Sequence, residues 1–190
     1  MSELGDIEKH WLTGARFCRS PNFDDRPDCE VDTIVIHNIS LPPGEFGGGH
    51  IDELFCNNLD PQFHPYFAQI RHLEVSSHLL IDRQGKVTQF VGFDRRAWHA
   101  GQSCFRGRER FNDFSIGIEL EGTDDFSYEA EQYSRLGQII VLLQQTYPAI
   151  IEENIVGHSA ISPGRKTDPG PAFEWPRLFS LLAGNGQSQS

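Results

Sequence analysis

His37 closes a short apolar run, Thr33-Ile-Val-Ile-His, and His158 closes another, Asn154-Ile-Val-Gly-His. Histidines at the ends of buried strands can converge on one edge of a sheet. Asp168 follows in the loop Ser162-Pro-Gly-Arg-Lys-Thr-Asp-Pro-Gly. Two imidazoles and one carboxylate are a common catalytic zinc set, with the fourth position left to water. Spacing alone carries this weakly. No short pattern ties His37 to His158, and each by itself reads more readily as a hydrogen-bonded histidine at a strand end. Glu119 lies inside an alternating segment, on the face opposite its apolar residues. A carboxylate on a packed sheet needs a partner or a job, and a general base beside an activated water would be such a job. Glu121 shares that face and is its local rival, and a strand facing solvent accounts for both. Lys166 stands two residues before Asp168. It could stabilise an oxyanion, although an exposed loop lysine is the commoner fate.

These residues need elements to hold them. Residues 33–37 are β-branched and apolar and suit a buried strand. Residues 77–82 and 87–91 flank Arg83-Gln-Gly-Lys, a hairpin with Gly85 at the turn. In residues 114–121, Phe114, Ile116, Ile118 and Leu120 take one face, and Ser115, Gly117, Glu119 and Glu121 the other. Residues 154–158 give a fifth, shorter strand. The strongest helix covers residues 128–147: Ser127 can cap it, Glu129 and Glu131 suit its first turn, and Pro148 ends it. Tyr133, Leu136, Gly137, Ile140 and Leu143 recur at helical spacing. Weaker helices are expected at 52–57, 65–72 and 174–182. Residues 20–30, rich in Pro and Asp, read as loop, and residues 42–50, with two prolines and four glycines, read either as a gate or as a fixed turn. Interleaved strands and helices predict one α/β domain over residues 1–183, a mixed central sheet with flanking helices. The polar tail, residues 184–190, is expected to be disordered.

Composition narrows the partners. The net charge of −11 works against nucleic acid as a partner. No segment approaches the ~18 apolar residues of a membrane span. The N-terminus lacks a basic start followed by an apolar stretch, so no secretory signal and a cytoplasmic location are expected. Cys18, Cys29, Cys56 and Cys104 have no C-x-x-C spacing and are expected to be reduced thiols. One basic stretch stands out, with Arg95, Arg96, Arg106, Arg108 and Arg110. It reads as a solvated face or as a local site for substrate carboxylates. Nothing points to an obligate protein partner.

Four blocks occur in order along the chain. They are Ile36-His-Asn-Ile-Ser-Leu-Pro-Pro-Gly-Glu-Phe-Gly-Gly, Arg96-Ala-Trp-His-Ala-Gly, Gly107-Arg-Glu-Arg followed by Asn112-Asp-Phe-Ser-Ile-Gly-Ile-Glu-Leu-Glu-Gly, and Gly157-His with Arg165-Lys-Thr-Asp-Pro-Gly-Pro. Together they closely resemble the 1,6-anhydro-N-acetylmuramoyl-L-alanine amidases of peptidoglycan recycling. These bacterial enzymes belong among the zinc amidases related to peptidoglycan recognition proteins. The resemblance runs from about residue 11 to about residue 178 and implies an amidase fold with one zinc ion in a cleft. It implies His37, His158 and Asp168 as zinc ligands, Glu119 rather than Glu121 as the catalytic acid/base, and Lys166 as the group that stabilises the transition state. It places Asn38, Trp98, His99 and Arg110 along the substrate groove. The implied substrate is a cytoplasmic anhydro-muropeptide, cut between its sugar and L-alanine, with an indirect effect on β-lactamase induction. Ser159-Ala160, after Gly-His, departs from the polar or acidic residue that many members carry there.

Overall fold

The computed structural model describes residues 4–28 and 30–186. Its centre is a six-stranded mixed sheet. In chain order the strands are β1 (Arg16–Phe17), β2 (Thr33–Ile39), β3 (Leu79–Ile81), β4 (Val87–Gln89), β5 (Ser115–Glu121) and β6 (Ile155–Gly157), arranged β6-β2-β5-β3-β4-β1. β6, β2, β5 and β3 run parallel; β4 returns antiparallel to β3, and β1 pairs parallel with β4. The β3–β4 turn is the expected hairpin, with Gly85 at φ +73 and the Asp82 carboxylate accepting from the Gln84 and Lys86 N–H groups. Among the described residues five α-helices follow the same order: α1 (His50–Phe55), α2 (Pro65–Ile70), α3 (Ala130–Thr146), α4 (His158–Ile161) and α5 (Trp175–Gly186).

Alternation along the parallel strands divides the interior in two. Ile34, Ile36, Ile116, Ile118 and Leu120 pack on one face against Tyr133, Leu136, Ile140 and Leu143 of α3 and Leu178 of α5. Each such fully buried aliphatic contributes roughly 1.5–3 kcal/mol relative to exposure. The other face is covered by two separate clusters. Leu54 and Phe55 of α1 and Phe67 of α2 meet Leu80 in one. Ile161 of α4 packs with Val35, Phe111 and Phe114 in the other. Between them the sheet lies open, and Glu119 and His37 occupy that gap.

Several sequence expectations change here. The polar face of β5 does not look onto solvent: all seven residues of the strand are buried, because helices and loops cover both faces of a parallel sheet. Ser127 does not cap α3. Glu129 is the N-cap, its N–H donating to Gln132 Oε1 at 3.0 Å, while the Ser127 carbonyl accepts from Arg83. His158 opens α4 rather than closing a strand. Within the segment read as loop, Phe23–Asp25 pairs antiparallel with Arg95–Ala97, which sets Asp24 opposite Arg96 and Asp25 opposite Arg95. α5 runs to Gly186, so residues 184–186 are helical; residues 187–190 lie outside the described residues. Cys18, Cys56 and Cys104 are free thiols, with Cys18 Sγ 3.5 Å from Cys56 Sγ; Cys29 lies outside the described residues. Among the described residues no helix is long and apolar enough to cross a membrane.

Candidate active site

Strand register assembles the site. Glu119 of β5 pairs with His37 of β2, and Gly157 of β6 pairs with Ile36, which sets His158 level with His37. Residues paired across parallel strands share a face. β2 and β5 therefore deliver His37 and Glu119 side by side, and the start of α4, directly after β6, adds His158 at the C-terminal ends of these strands, where open α/β sheets bind ligands. The loop after α4 returns Asp168 to the same point, with Asp168 O accepting from Ser159 N at 2.9 Å. The resulting cleft holds about 730 Å³ and is lined by His37, Asn38, Trp98, His99, Glu119, His158, Lys166 and Asp168, with an apolar flank that includes Leu41, Leu54, Tyr66 and Ile70.

His37 Nδ1, His158 Nδ1 and Asp168 Oδ2 form a triangle with sides of 3.0, 3.1 and 3.0 Å. The protons decide what that triangle is. His158 Nε2 lies 3.0 Å from the Ala100 carbonyl, which can only accept, and 3.3 Å from the Arg165 guanidinium, the longer contact; donation to the carbonyl leaves Nδ1 bare. A carboxylate oxygen is also only an acceptor. Burial lowers the pKa of His37 to about 4, which holds its ring neutral. Lone pairs converging this closely could hold a cation. Two imidazole nitrogens and one carboxylate oxygen suit zinc, whose bonds to such atoms run ~2.0–2.2 Å.

Glu119 stands beside the triangle, 8 % exposed, and its Oε2 has no hydrogen-bond partner. Burial first, then the Asp168 charge, raises its pKa well above 4.5, with Lys166 opposing the shift. Glu121, its rival, is committed elsewhere: its carboxylate accepts from the Gly47 N–H at 2.5 Å and the Arg83 N–H at 3.2 Å. Of the two, only Glu119 lines this cleft.

The groove residues separate. Trp98 lines the cleft, its N–H bonded to Ser76 Oγ. Asn38 braces the site, donating to Asp124 Oδ1 at 2.8 Å and to the Pro169 carbonyl at 3.1 Å. His99 lies against His37, Nδ1 to Nε2 at 3.0 Å. Arg110 is not in this cleft. It pairs with Asp113 at 2.9 Å, is largely exposed, and lines a second groove of about 550 Å³ that shares Arg165 with the first. The basic stretch around it is extensively paired: Arg95 with Asp25, Arg96 with Asp24 and Asp113, and Arg108 with Asp32.

Sequence reading missed the supports. Asn112 Oδ1 accepts from the His99 and Ala100 N–H groups at 3.1 and 2.7 Å. Tyr128 donates to the Pro169 carbonyl at 2.8 Å. Arg165 bonds the Ala100 and Gln102 carbonyls, tying that loop to the one that follows α4. A glycine in the middle of a buried strand, Gly117, was the available signal that something approaches the backbone closely.

Residues 27–171 match the N-acetylmuramoyl-L-alanine amidase family, Amidase_2. The chain is 57% identical over 178 residues to the 1,6-anhydro-N-acetylmuramyl-L-alanine amidase AmpD of Escherichia coli K12, covering 93% of this chain and 97% of that protein. A crystal structure of selenomethionine AmpD superposes with a TM-score of 0.90 at 55% identity, over 93% of this chain and 98% of that one. The E. coli amidase AmiD, in complex with its substrate anhydro-N-acetylmuramic acid-L-Ala-D-γ-Glu-L-Lys, matches with a TM-score of 0.57 at 27% identity, over 93% of this chain and 65% of that one.

Proposed function

Because the chain belongs to the N-acetylmuramoyl-L-alanine amidase family, we propose that it hydrolyses, with zinc, the amide between 1,6-anhydro-N-acetylmuramic acid and the L-alanine of the stem peptide. The observation that carries this is the triangle of bare ligand atoms beside a buried carboxylate with an unpartnered oxygen. His37, His158 and Asp168 would hold one zinc ion. Zinc in such a site supplies Lewis acidity, polarising a carbonyl and lowering the pKa of water towards ~7.

The remaining steps belong to the chain. Glu119 takes a proton from the attacking water as its oxygen bonds to the lactyl carbonyl carbon. It then gives that proton to the alanine nitrogen as the C–N bond breaks. A base that becomes the acid in this way needs a carboxyl pKa lifted from its ordinary value, and burial of Glu119 lifts it. The Lys166 ammonium, on the cleft wall, offsets the negative charge of the tetrahedral oxygen. The apolar flank suits the sugar ring, while Arg110, in the adjoining groove, would pair with a stem-peptide carboxylate. With that substrate the enzyme would act in the cytoplasm, where clearing anhydro-muropeptides would lower β-lactamase induction.

The test is release of stem peptide from purified anhydro-muramoyl-tripeptide, before and after chelation and zinc return. Cleavage abolished by chelator and restored by zinc is expected. Folded, zinc-loaded protein that binds the muropeptide without cutting it would refute the reading and leave a recognition module.

A further inference from the structure

For His37 to offer Nδ1 to a metal, its proton must sit on Nε2, and something must hold it there. The structure supplies a chain of hydrogen bonds that does so. It begins at the Phe111 carbonyl, which can only accept. The Ser115 hydroxyl donates to that carbonyl, so Ser115 Oγ faces the next residue as an acceptor. That residue is His99, whose Nε2 lies 3.2 Å away and therefore carries the ring proton. A neutral His99 then has a bare Nδ1, 3.0 Å from His37 Nε2. His37 must donate across that contact, which leaves its Nδ1 bare and aimed at His158 and Asp168. Each proton in the chain is fixed by the one before it.

The seat for His99 is built into β5. A Cβ at Gly117 would lie 2.5 Å from His99 Cγ, 2.7 Å from its Nδ1 and 2.8 Å from its Cδ2. No side chain fits there while the imidazole is in place. From the other side, Asn112 Oδ1 holds the His99 backbone.

We propose that His99 is a positioning residue, which sets the tautomer and ring orientation of the zinc ligand His37, and that Gly117 is a glycine in order to seat it. The proposal rests on the zinc reading above. It makes no claim that His99 touches substrate.

The test is zinc affinity, measured by competition with a chromophoric chelator, alongside thermal melting of the metal-free proteins. His99→Phe should bind zinc ~10–100-fold more weakly, the usual effect of removing a ligand's hydrogen-bond partner. His99→Ala serves if the phenylalanine protein does not fold. His99→Asn places an amide oxygen near the Nδ1 position and should recover most of the loss. Gly117→Ala should weaken zinc to a similar degree in the wild-type background and cost nothing further in His99→Ala. Nitrogen-15 spectra should show His37 protonated on Nε2 in the wild type, with the Nδ1–H form appearing in His99→Phe. Zinc affinity within twofold of wild type in folded His99→Phe or His99→Ala would overturn the proposal. So would an asparagine variant no better than the phenylalanine one. A wild-type protein that takes up no zinc would instead refute the zinc reading, and the proposal with it.

Discussion

Glu119→Gln should make the metal-free protein more stable at neutral pH while removing its activity. The carboxyl is 8 % exposed and its Oε2 has no partner. Burial raises its pKa well above the ordinary 4.5. The folded protein therefore keeps a proton on Glu119 that the unfolded chain releases. The sign follows from that difference: the contribution to stability is fully present below pH 4.5 and is lost as pH rises towards the folded value. One proton bound in the folded state and free in the unfolded state costs ~1.4 kcal/mol for each pH unit climbed inside that window. Glutamine keeps the shape and the neutral polarity but has no proton to lose. Every other titrating group is common to both proteins and largely cancels in their difference. Urea denaturation in the presence of chelator, at pH 4, 5, 6 and 7, should give similar stabilities at pH 4. The wild type should then fall behind as pH rises towards the folded value of Glu119, by at most ~1.4 kcal/mol per unit. Turnover of the zinc-loaded variant should drop ~10²–10⁴-fold. Parallel stability curves would show that Glu119 is not held in an unfavourable charge state. Near-normal turnover would remove it from the chemistry.

Lys166→Ala should lower turnover ~10²–10³-fold with zinc content unchanged, read by steady-state kinetics beside metal analysis. Zinc at a hundredfold excess over its dissociation constant should stabilise the wild type by ~2.7 kcal/mol, a rise of roughly 5–10 °C in melting temperature. Asp168→Asn should lose most of that rise. Gly170→Ala should cost more than ~2 kcal/mol in denaturant unfolding: φ is +78, where an L-residue pays ~1–2 kcal/mol, and the new Cβ would lie 2.2 Å from Asp124 Cα. The same variant should bind zinc more weakly, because Pro169 links Gly170 to Asp168. Arg110→Glu should raise KM for a tripeptide substrate and leave kcat within a few-fold; an unchanged KM would place the stem carboxylates elsewhere.

Much of the fold could be read from periodicity. Residues 33–39 and 115–121 are strands, and residues 130–146 form a helix that buries Tyr133, Leu136, Gly137, Ile140 and Leu143 of its apolar stripe. What alternation could not supply was the cover on the second face. Ser115, Gly117, Glu119 and Glu121 look like a solvent-facing set until α1, α2, α4 and the 99–114 loop are laid over them. Those covering pieces are short helices and loops, with too few turns for a hydrophobic period to register. The arginine stretch was ambiguous for a related reason. Its acidic partners Asp24, Asp25 and Asp32 lie some 70 residues away in sequence and meet it only through tertiary pairing.

The site itself was legible only in pieces, and the missing information was register. His37, Glu119 and His158 are dispersed over more than a hundred residues, and nothing local says they meet. They meet because β6, β2 and β5 are parallel neighbours, and because Glu119 pairs with His37 while Gly157 pairs with Ile36. A shift of one residue between β2 and β5 would turn one of the two chemical side chains to the α3 face. Where β5 is the strand that turns, Gly117, which must lie under His99, goes to the wrong face with Glu119. The apolar residues that prevent the slip, Ile34 and Ile36 on β2 and Ile116, Ile118 and Leu120 on β5, pack beneath α3 on the side away from the cleft. The hydrophobic half of each strand thus sets the register that the polar half needs, and a substitution that loosens the α3 face should weaken zinc binding without touching any ligand.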